Sequence, residues 1–425
     1  MAHCSTCSRR DFVRLALGGS AAAGMMSKFG IPFAAAQDKT PSTSPKAKAC
    51  ILFWMQGAQS QLDTWDLKPG TETGGPFKPI ATAAHGIEIC EHLPRTAKQM
   101  DKVSIIRTLN SRDPNHDTAT YFLHTGYREN PDLQFPHVGS VILEELGSGK
   151  TDLPGCIVLG GEPPAGAAYL PAERGPVIID RLANPTDDLL ATNEYFAKGT
   201  LERRWRLLRG FEEDWNKKHP GGRVEARERT YERAWKILSS KDLKAFDVTK
   251  EPDAVRKAYG DTPLGKAALL ARRLVQTGVR FVEIQYGSWD THSDNFGGHK
   301  RLMGDIDAPY AALLDDLAKS GMLADTMVVL MGEFGRTPRI NVGQGRDHWS
   351  RCWSACLAGG GIAGGRVVGK TDELGMEIKE RPVSVGDLYA TIYHCFGVNP
   401  DKKYMGPGSR PTKILEGGDV VKELL

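Results

Sequence analysis

Residues 324–364 read ADTMVVLMGEFGRTPRINVGQGRDHWSRCWSACLAGGGIAG, and this stretch decides the fold. An apolar run at 327–331 breaks into Gly-Glu-Phe-Gly-Arg, and a polar loop then ends in Asp347-His348 before a second apolar run. The pattern predicts two buried strands that bring acidic and imidazole side chains to one place. Because ligands in open α/β sheets bind beyond the carboxyl ends of parallel strands, these side chains indicate a reactive site.

The same alternation of strands and helices extends along the chain. Apolar runs predict strands at 49–55, 103–109, 156–159, 177–179 and 280–286. Helical periodicity is found at about 117–125, through a charged block at about 186–275, and at 308–319. Strands that alternate with helices favour an α/β fold, a three-layer sandwich whose large, mostly parallel central sheet is covered by helices on both faces.

The N-terminus has the pattern of a targeting segment. Arg9-Arg10 precedes an apolar run rich in Ala and Gly, and three alanines at 34–36 form a small-residue cleavage site. These features resemble a twin-arginine export signal. We therefore expect a signal peptide at 1–36, a linker at 37–47 and one domain at 48–425 that carries the helical insertion. The predicted location is periplasmic or secreted.

Charge and cysteine content limit the partners. Removing residues 1–36 takes four basic residues from 55 and one acidic residue from 52, which leaves 51 of each. A net charge of zero gives no electrostatic basis for binding nucleic acid. No other run reaches the roughly 18 apolar residues of a membrane span. Six cysteines remain, and one or two disulfides would be compatible with an oxidising compartment.

Ionisable residues cluster after four of the predicted strands. The clusters are Gln56, Ser60, Asp63 and Asp66; Asn115, His116, Asp117 and His124; Asp290, Thr291, His292, Asp294 and His299; and Glu333, Asp347 and His348. Singly, each cluster would fit a helix cap or a loop contact. Together on one rim they indicate a functional site, because carboxylate and imidazole ligands suit Zn, Mn or Fe.

Several motifs resemble an exported bacterial family, domain-of-unknown-function family 1501, which is placed in the alkaline-phosphatase-like superfamily with the sulfatases. The motifs are QSQLDTWDLKPG, NHDTATYFLHTGY, FPHVGS, WDTHSDNF, GEFGRTPRIN, GRDHW and RPVSVGDLYATIYHCFGVNP. The resemblance implies an alkaline-phosphatase-like sheet with a two-metal site at the strand ends. It thus implies a divalent metal, with Zn, Mn or Ca as candidates.

The superfamily pattern can be placed on this chain, with departures. Gln56 stands where superfamily members have a metal-binding Asp, so Asp63 is the candidate substitute. Phe334 replaces a ligand His. The resemblance implies Asp290, His292, Glu333 and His348 as the other metal ligands.

His116 stands nine residues before Thr125-Gly126, the position of the superfamily nucleophile. Its imidazole could attack an ester or bind the metal, while Ser111, Thr118 or no residue at all remain alternatives for the nucleophile. Arg336 and Arg346 flank the same rim, and an Arg fork matches phosphate or sulfate oxygens. Trp289 and Trp349 would either stack on a sugar ring or pack structurally.

Two functions are compatible with these residues. The first is an exported metal-dependent hydrolase of phosphate or sulfate esters, whose substrate is a small molecule or a polysaccharide, a sulfated polysaccharide among them. The second is a catalytically silent binding module of the same fold that recognises a polysaccharide, an anion or a protein. Gln56 and Phe334 favour the second, and the number of acids and imidazoles on one rim favours the first.

Overall fold

A computed structural model describes residues 46–180, 199–219 and 222–425, and these residues fall within one compact unit, Thr43–Leu425. The predicted signal peptide, most of the linker and the start of the helical block lie outside the described residues. A central sheet organises the unit. Its strands are β1 (Ala49–Met55), β2 (Val103–Asn110), β3 (Cys156–Leu159), β4 (Val177–Ile179), β5 (Phe281–Tyr286), β6 (Thr326–Met331), β7 (Trp353–Ala358), β8 (Arg366–Val368) and β9 (Val383–Ser384).

The strand order of the sheet is β8-β2-β7-β6-β1-β5-β3-β4, and β9 also pairs with β2. Strand β7 runs antiparallel to β2 and β6, while the remaining pairs are parallel. The prediction of a mostly parallel central sheet is therefore confirmed. The predicted strands at 49–55, 156–159 and 177–179 match the observed bounds.

Helices cover both faces of the sheet. They are α1 (Pro94–Ala97), α2 (His116–Thr125), α3 (Val138–Leu146), α4 (Thr200–Lys218), α5 (Gly222–Ser239), α6 (Asp253–Tyr259), α7 (Pro263–Thr277), α8 (Asn295–Lys319) and α9 (Val385–Phe396). Short 3-10 helices lie at Gln61–Asp63, Met100–Lys102, Ala172–Arg174, Lys241–Phe246, Val248–Lys250, Met322–Ala324, Pro407–Ser409 and Lys422–Leu424. The described residues between β4 and β5 are largely helical, as the periodicity predicts.

Strand β1 shows why its sequence is a continuous apolar run. Ile51 and Phe53 belong to the core formed with α7 and α8, whereas Leu52 and Trp54 belong to the core formed with α2, α3 and α9. Side chains alternate between the two faces of a strand, so a strand covered on both faces is apolar at every position. All seven residues of β1 are buried.

Four two-stranded ribbons lie outside the main sheet. They pair Pro79–Ala81 with Glu88–Cys90, Gly335–Arg336 with His348–Trp349, Lys370–Thr371 with Ile378–Glu380, and Lys403–Gly406 with Arg410–Lys413. In the second ribbon, His348 lies opposite Arg336. This ribbon folds the loop after β6 back over the carboxyl ends of the strands, which places His348 on the rim.

The cysteines of the described residues make no disulfide. All six are free and buried, namely Cys50, Cys90, Cys156, Cys352, Cys356 and Cys395. Burial raises the pKa of the Cys90 thiol to about 12, so it packs as a small apolar side chain rather than as a reactive thiolate.

Candidate metal centre

The carboxyl ends of β1, β2, β5 and β6 meet at one rim, and the loops that follow them carry the candidate site. Helix α2 starts at His116 because the Asn115 side chain accepts hydrogen bonds from the N–H groups of Asp117 and Thr118. This cap fixes His116 at the first helical position. The loop after β5 carries Asp290 and His292, and the loop after β6 carries Glu333.

Gly57, two residues after the end of β1, is required by close packing between two of these loops. Its φ is +95°, and a Cβ there would lie 2.7 Å from the backbone nitrogen of Asp290 and 2.8 Å from that of Trp289. The backbone of Gly57 also donates to Glu333 Oε1 at 3.0 Å. Glycine thus allows the loop of Asp290 to lie against the end of β1.

Three imidazoles converge on one carboxylate oxygen, Asp290 Oδ1. The Nε2 atoms lie at 3.4 Å for His116, 3.0 Å for His292 and 3.2 Å for His348. Three possible ligand atoms, one each from His116, Asp290 and His348, lie within 4.8 Å of one another. The sequence predicted all four residues at this rim, and the structure brings them together.

The other nitrogen of each ring faces a hydrogen-bond acceptor. His116 Nδ1 lies 2.6 Å from Glu333 Oε1, His292 Nδ1 lies 2.6 Å from Asp347 Oδ1, and His348 Nδ1 lies 2.7 Å from the carbonyl oxygen of Pro114. A neutral imidazole that donates from Nδ1 has its lone pair on Nε2. In the tautomer that has its proton on Nδ1 in each ring, all three lone pairs point toward Asp290.

This donor set fits a divalent cation. His116 Nε2 is buried and has no hydrogen-bond partner, and the partners of the three Nδ1 atoms are the outer contacts that hold metal-binding histidines in orientation. Three imidazole nitrogens and one carboxylate oxygen suit Zn, Mn or Fe better than Ca, which prefers oxygen ligands. His116, Asp290, His292 and His348 would hold such an ion.

The protonation states agree with this arrangement at two of the residues. Burial alone would raise the pKa of Asp290, but the charge and hydrogen bond of Arg336 lower it to about 2. Burial and the nearby Arg336 charge lower the pKa of His348. Both groups are thus in the metal-binding form near neutral pH. Burial opposes protonation of His116, but Glu333 and Asp290 raise its pKa overall.

Arg336 lies behind Asp290 and is fully buried. Its Nε donates to the carbonyl oxygen of Ala58 at 2.9 Å, and its Nη2 contacts Asp290 Oδ1 at 2.6 Å and the carbonyl oxygen of Gly57. A guanidinium with these donors engaged orients Asp290, and it cannot also grip a substrate anion without losing them. The predicted role of Arg336 in substrate binding therefore changes to positioning.

Asp63 is not brought to the other predicted ligands. It is fully buried, and Arg346 pairs with both of its oxygens, at 2.7 Å from Nε and 3.2 Å from Nη2. Ser60 Oγ and Asn295 Nδ2 donate to the same carboxylate at 2.5 and 2.9 Å. With its acceptor capacity used by the protein, Asp63 fits a structural role, and the same ion pair occupies Arg346.

Glu333 also differs from its predicted position as a direct ligand. Its Oε1 accepts from His116 and Gly57, so it supports a ligand rather than facing Asp290. Its Oε2 is buried and has no partner. Thr118 Oγ1 lies 3.4 Å from Asn115 Oδ1 and Ser111 Oγ accepts from the Asp113 N–H at 3.2 Å, so both alternative nucleophiles belong to local loop contacts.

A second ionisable cluster lies inside the protein. The sequence analysis placed one of its members, His124, at the rim with His116, but His124 is fully buried against Glu283. Glu283, in the centre of β5, contacts His124 Nε2 and His137 Nε2, each at 3.1 Å, and all three residues are fully buried. The sequence does carry a signal for this cluster, namely a glutamate within the apolar strand FVEIQY. A buried charge requires a partner, so this glutamate indicates that another ionisable side chain lies nearby.

The hydrogen bonds of this cluster favour a charge pair over a metal site. His137 Nδ1 accepts from the Gly139 N–H at 3.0 Å, so its Nε2 carries the proton that it donates to Glu283. Both nitrogens of His124 face acceptors, Glu283 and the carbonyl oxygen of Thr120, and this arrangement favours the charged form of the ring. Burial opposes the charge of His124, but Glu283 raises its pKa, while burial lowers that of His137.

The two tryptophans of the rim have different surroundings. Trp289 is buried and packs its ring against His299, with centroids 5.1 Å apart. Trp349 is half-buried and lies beneath the guanidinium of Arg351, 5.1 Å from the ring centroid. Trp289 is therefore a packing residue.

Among the helices that the structure describes, none combines the length and the apolar composition that a bilayer crossing requires.

Comparisons with known proteins give one family and a set of distant structures. A family model described as "Protein of unknown function (DUF1501)" matches residues 47–425. No curated protein matches the chain. Solved structures similar to it include the PsFucS1 sulfatase from Pseudoalteromonas sp., at 14% identity and a TM-score of 0.39, which covers 89% of this chain and 71% of that chain.

Two further structures are similar over comparable lengths. The phosphonate monoester hydrolase of Agrobacterium radiobacter is 13% identical with a TM-score of 0.39, and the match covers 90% of this chain and 77% of that one. A protein in the alkaline phosphatase superfamily from Vibrio parahaemolyticus is 12% identical with a TM-score of 0.39, over 88% of this chain and 73% of that one.

Proposed function

We propose a function for this chain, which belongs to the DUF1501 family of proteins of unknown function: it is an exported metal-dependent hydrolase of phosphate or sulfate esters. The observation that carries the proposal is the convergence of three imidazole Nε2 atoms on Asp290 Oδ1, each ring held by an acceptor at Nδ1. Export rests on the twin-arginine pattern at the N-terminus.

The residues of the centre have separate roles in this proposal. His116, Asp290, His292 and His348 hold a divalent cation, which when bound polarises the ester oxygens and offsets their negative charge. Arg336 holds Asp290 in position through its contact at 2.6 Å. Glu333 lines the cavity beside the centre and its Oε2 has no partner, so this oxygen is the acceptor for a proton from the attacking water.

His116 acts as a ligand rather than as the nucleophile in this proposal. Its Nε2 points toward Asp290, as do the Nε2 atoms of the other two imidazoles, and its Nδ1 is bound to Glu333. An imidazole in this position shares the metal with His292 and His348. Water is then the nucleophile, which agrees with the local contacts of Ser111 and Thr118.

The test is turnover of aryl phosphate, aryl phosphonate and aryl sulfate by protein that has been loaded with Zn, Mn or Fe. We expect hydrolysis of at least one of these esters, loss of activity with a chelator, and recovery when the metal is restored. His292→Ala should abolish turnover, whereas His85→Ala, a change of an exposed histidine, serves as the matched control. Turnover that is unaffected by chelator would contradict the proposal.

A further inference from the structure

A cavity of about 560 Å³ opens beside the metal centre, and its wall is strongly acidic. Five carboxylates line it, Asp117, Glu129, Glu162, Asp290 and Glu333. Among the described residues that line it, none is a lysine or an arginine. This wall would therefore repel a ligand that is anionic along its whole length.

Three of the five carboxylates have no internal partner. Within the part of the chain that the structure describes, the side chains of Asp117, Glu129 and Glu162 make no hydrogen bond and no ion pair, and all three are exposed. Asp290 contacts the three imidazoles of the centre, and Glu333 contacts His116 through Oε1 alone. The negative charge of the outer wall is therefore available to a ligand, and it raises the local concentration of cations.

A second observation concerns the inner end of the cavity. Glu333 is 1% exposed and is one of the residues that line the cavity, and its Oε2 has no hydrogen-bond partner. A buried polar atom is normally satisfied, and one that is not indicates a place for a ligand or a water. The cavity thus offers an acceptor at its inner end and free carboxylates on its outer wall.

Aromatic side chains complete the wall. Trp54 and Tyr121 line the cavity, and contacts with other residues hold both rings in place. Trp54 packs on His124 with centroids 4.2 Å apart, and the Tyr121 hydroxyl accepts from the Phe135 N–H at 2.7 Å. Rigid aromatic faces beside carboxylates are the surroundings that an organic cation prefers, because the ring face attracts positive charge.

We infer that the cavity binds the alcohol part of the ester and that this part carries an ammonium group. The inference rests on the proposed function. The metal centre takes the negative phosphate or sulfate, and Glu129 and Glu162 take the positive nitrogen. An amino sugar and a short amino alcohol share this chemistry. A polyanionic sulfated polysaccharide does not, because its further sulfate groups would meet the unpaired carboxylates of the wall.

The substrate test compares esters that differ only in the amine. Glucosamine phosphate is measured against glucose phosphate and N-acetylglucosamine phosphate with the ester at the same carbon, and phosphoethanolamine against hydroxyethyl phosphate. The corresponding sulfates are run in parallel. We expect the amine to raise kcat/KM about tenfold or more, since two opposite charges each contribute up to about fivefold at partly exposed sites. The two pairs distinguish an amino sugar from an amino alcohol.

A double variant tests whether the wall causes the preference. Glu129→Gln with Glu162→Gln should lower kcat/KM for the amine-bearing ester until it is close to kcat/KM for its neutral partner. Glu88→Gln is the matched control, because Glu88 is an exposed glutamate on the ribbon Glu88–Cys90, outside the cavity. An unchanged preference in the double variant would overturn the inference.

Binding without turnover keeps the inference separate from the hydrolase. Glucosamine and ethanolamine, titrated calorimetrically against glucose and ethylene glycol, should bind more tightly to the wild type, and salt should weaken the difference. Equal hydrolysis of both members of each pair would overturn the ammonium preference and leave the hydrolase intact. Selective amine binding with no ester turnover would support the cavity assignment and count against the hydrolase. Equal binding of both members would overturn the assignment.

Discussion

The Nε2 atoms of His292 and His348 lie 3.0 Å apart, while the Nδ1 atom of each ring faces an oxygen acceptor. With both Nδ1 atoms protonated, two lone pairs face each other, which is unfavourable unless a proton or a metal ion lies between them. Asp290 Oδ1 lies within 3.2 Å of both nitrogens, and His116 adds a third imidazole. This set of donors favours the metal ion over a single shared proton.

Asp347 should control the metal affinity through His292. Asp347→Asn weakens the acceptor that lies 2.6 Å from His292 Nδ1, so the ring loses its fixed orientation. Loss of such an outer contact raises a metal dissociation constant about 10- to 100-fold. Titration of metal-stripped protein with Zn measures the change. The control is Asp325→Asn, since Asp325 pairs with Lys48 at the amino end of β6, and it should bind Zn like the wild type.

Asp63→Asn distinguishes a structural carboxylate from a metal ligand. Arg346, which is fully buried, would lose its ion pair, and removing one partner of a buried pair lowers the free energy of unfolding by about 3–5 kcal/mol. Metal content should stay at the wild-type level when the folded protein is analysed. Asp101→Asn breaks an exposed pair with Lys102 and should cost less than about 1 kcal/mol. A loss of metal from folded Asp63→Asn protein would restore Asp63 as a ligand.

Glu283→Gln should reveal the buried charge pair through pH. At neutral pH the change leaves the His124 cation unpaired, and the free energy of unfolding should fall by about 3–5 kcal/mol. Burial opposes the charge of Glu283, but His124 and His137 hold the pKa of this carboxyl group below its ordinary value. The stabilisation from a depressed carboxyl pKa is present above about pH 4 and is lost as the pH falls further.

The gap in stability between wild type and Glu283→Gln should widen as the pH falls from 7 to about 4, because without Glu283 burial favours the neutral form of His124, and the unfolded variant then binds more protons than the folded one. Urea unfolding at pH values from neutral to about 3 measures it, with Glu88→Gln as the surface control. In the wild type, His124 and His137 shift in opposite directions and partly offset each other near neutral pH, so the change in the gap comes mainly from the variant. A gap that does not change with pH would mean that Glu283 is not charged in the native state.

Much of the scaffold could be predicted because its strands are buried on both faces. Strand β1 is apolar at all seven positions, and its predicted bounds are those observed. Helix α8 was predicted only from 308, yet it begins at Asn295. Its first turns carry glycines and polar residues that resemble a loop, and packing of Leu302, Met303 and Ile306 into the core makes them helical.

Residues of the site could be grouped from sequence, but their contacts could not. The four residues His116, Asp290, His292 and His348 lie in segments that follow strands at the carboxyl edge, and topology alone brings such segments together. Which nitrogen faces which oxygen depends on contacts between residues far apart in the chain. Arg346 and Asp63 are separated by 283 positions, so nothing local indicates that Asp63 is already paired.

Metal content tests the account most directly. Protein purified without chelator and without metal from an affinity resin should contain about one equivalent of Zn, Mn or Fe by mass spectrometry, because the donor set provides four ligands for one ion. A His292→Ala, His348→Ala double variant that remains folded should contain less than about a tenth of an equivalent. Wild-type protein with as little metal as the double variant, even after incubation with Zn, Mn or Fe, would contradict the account.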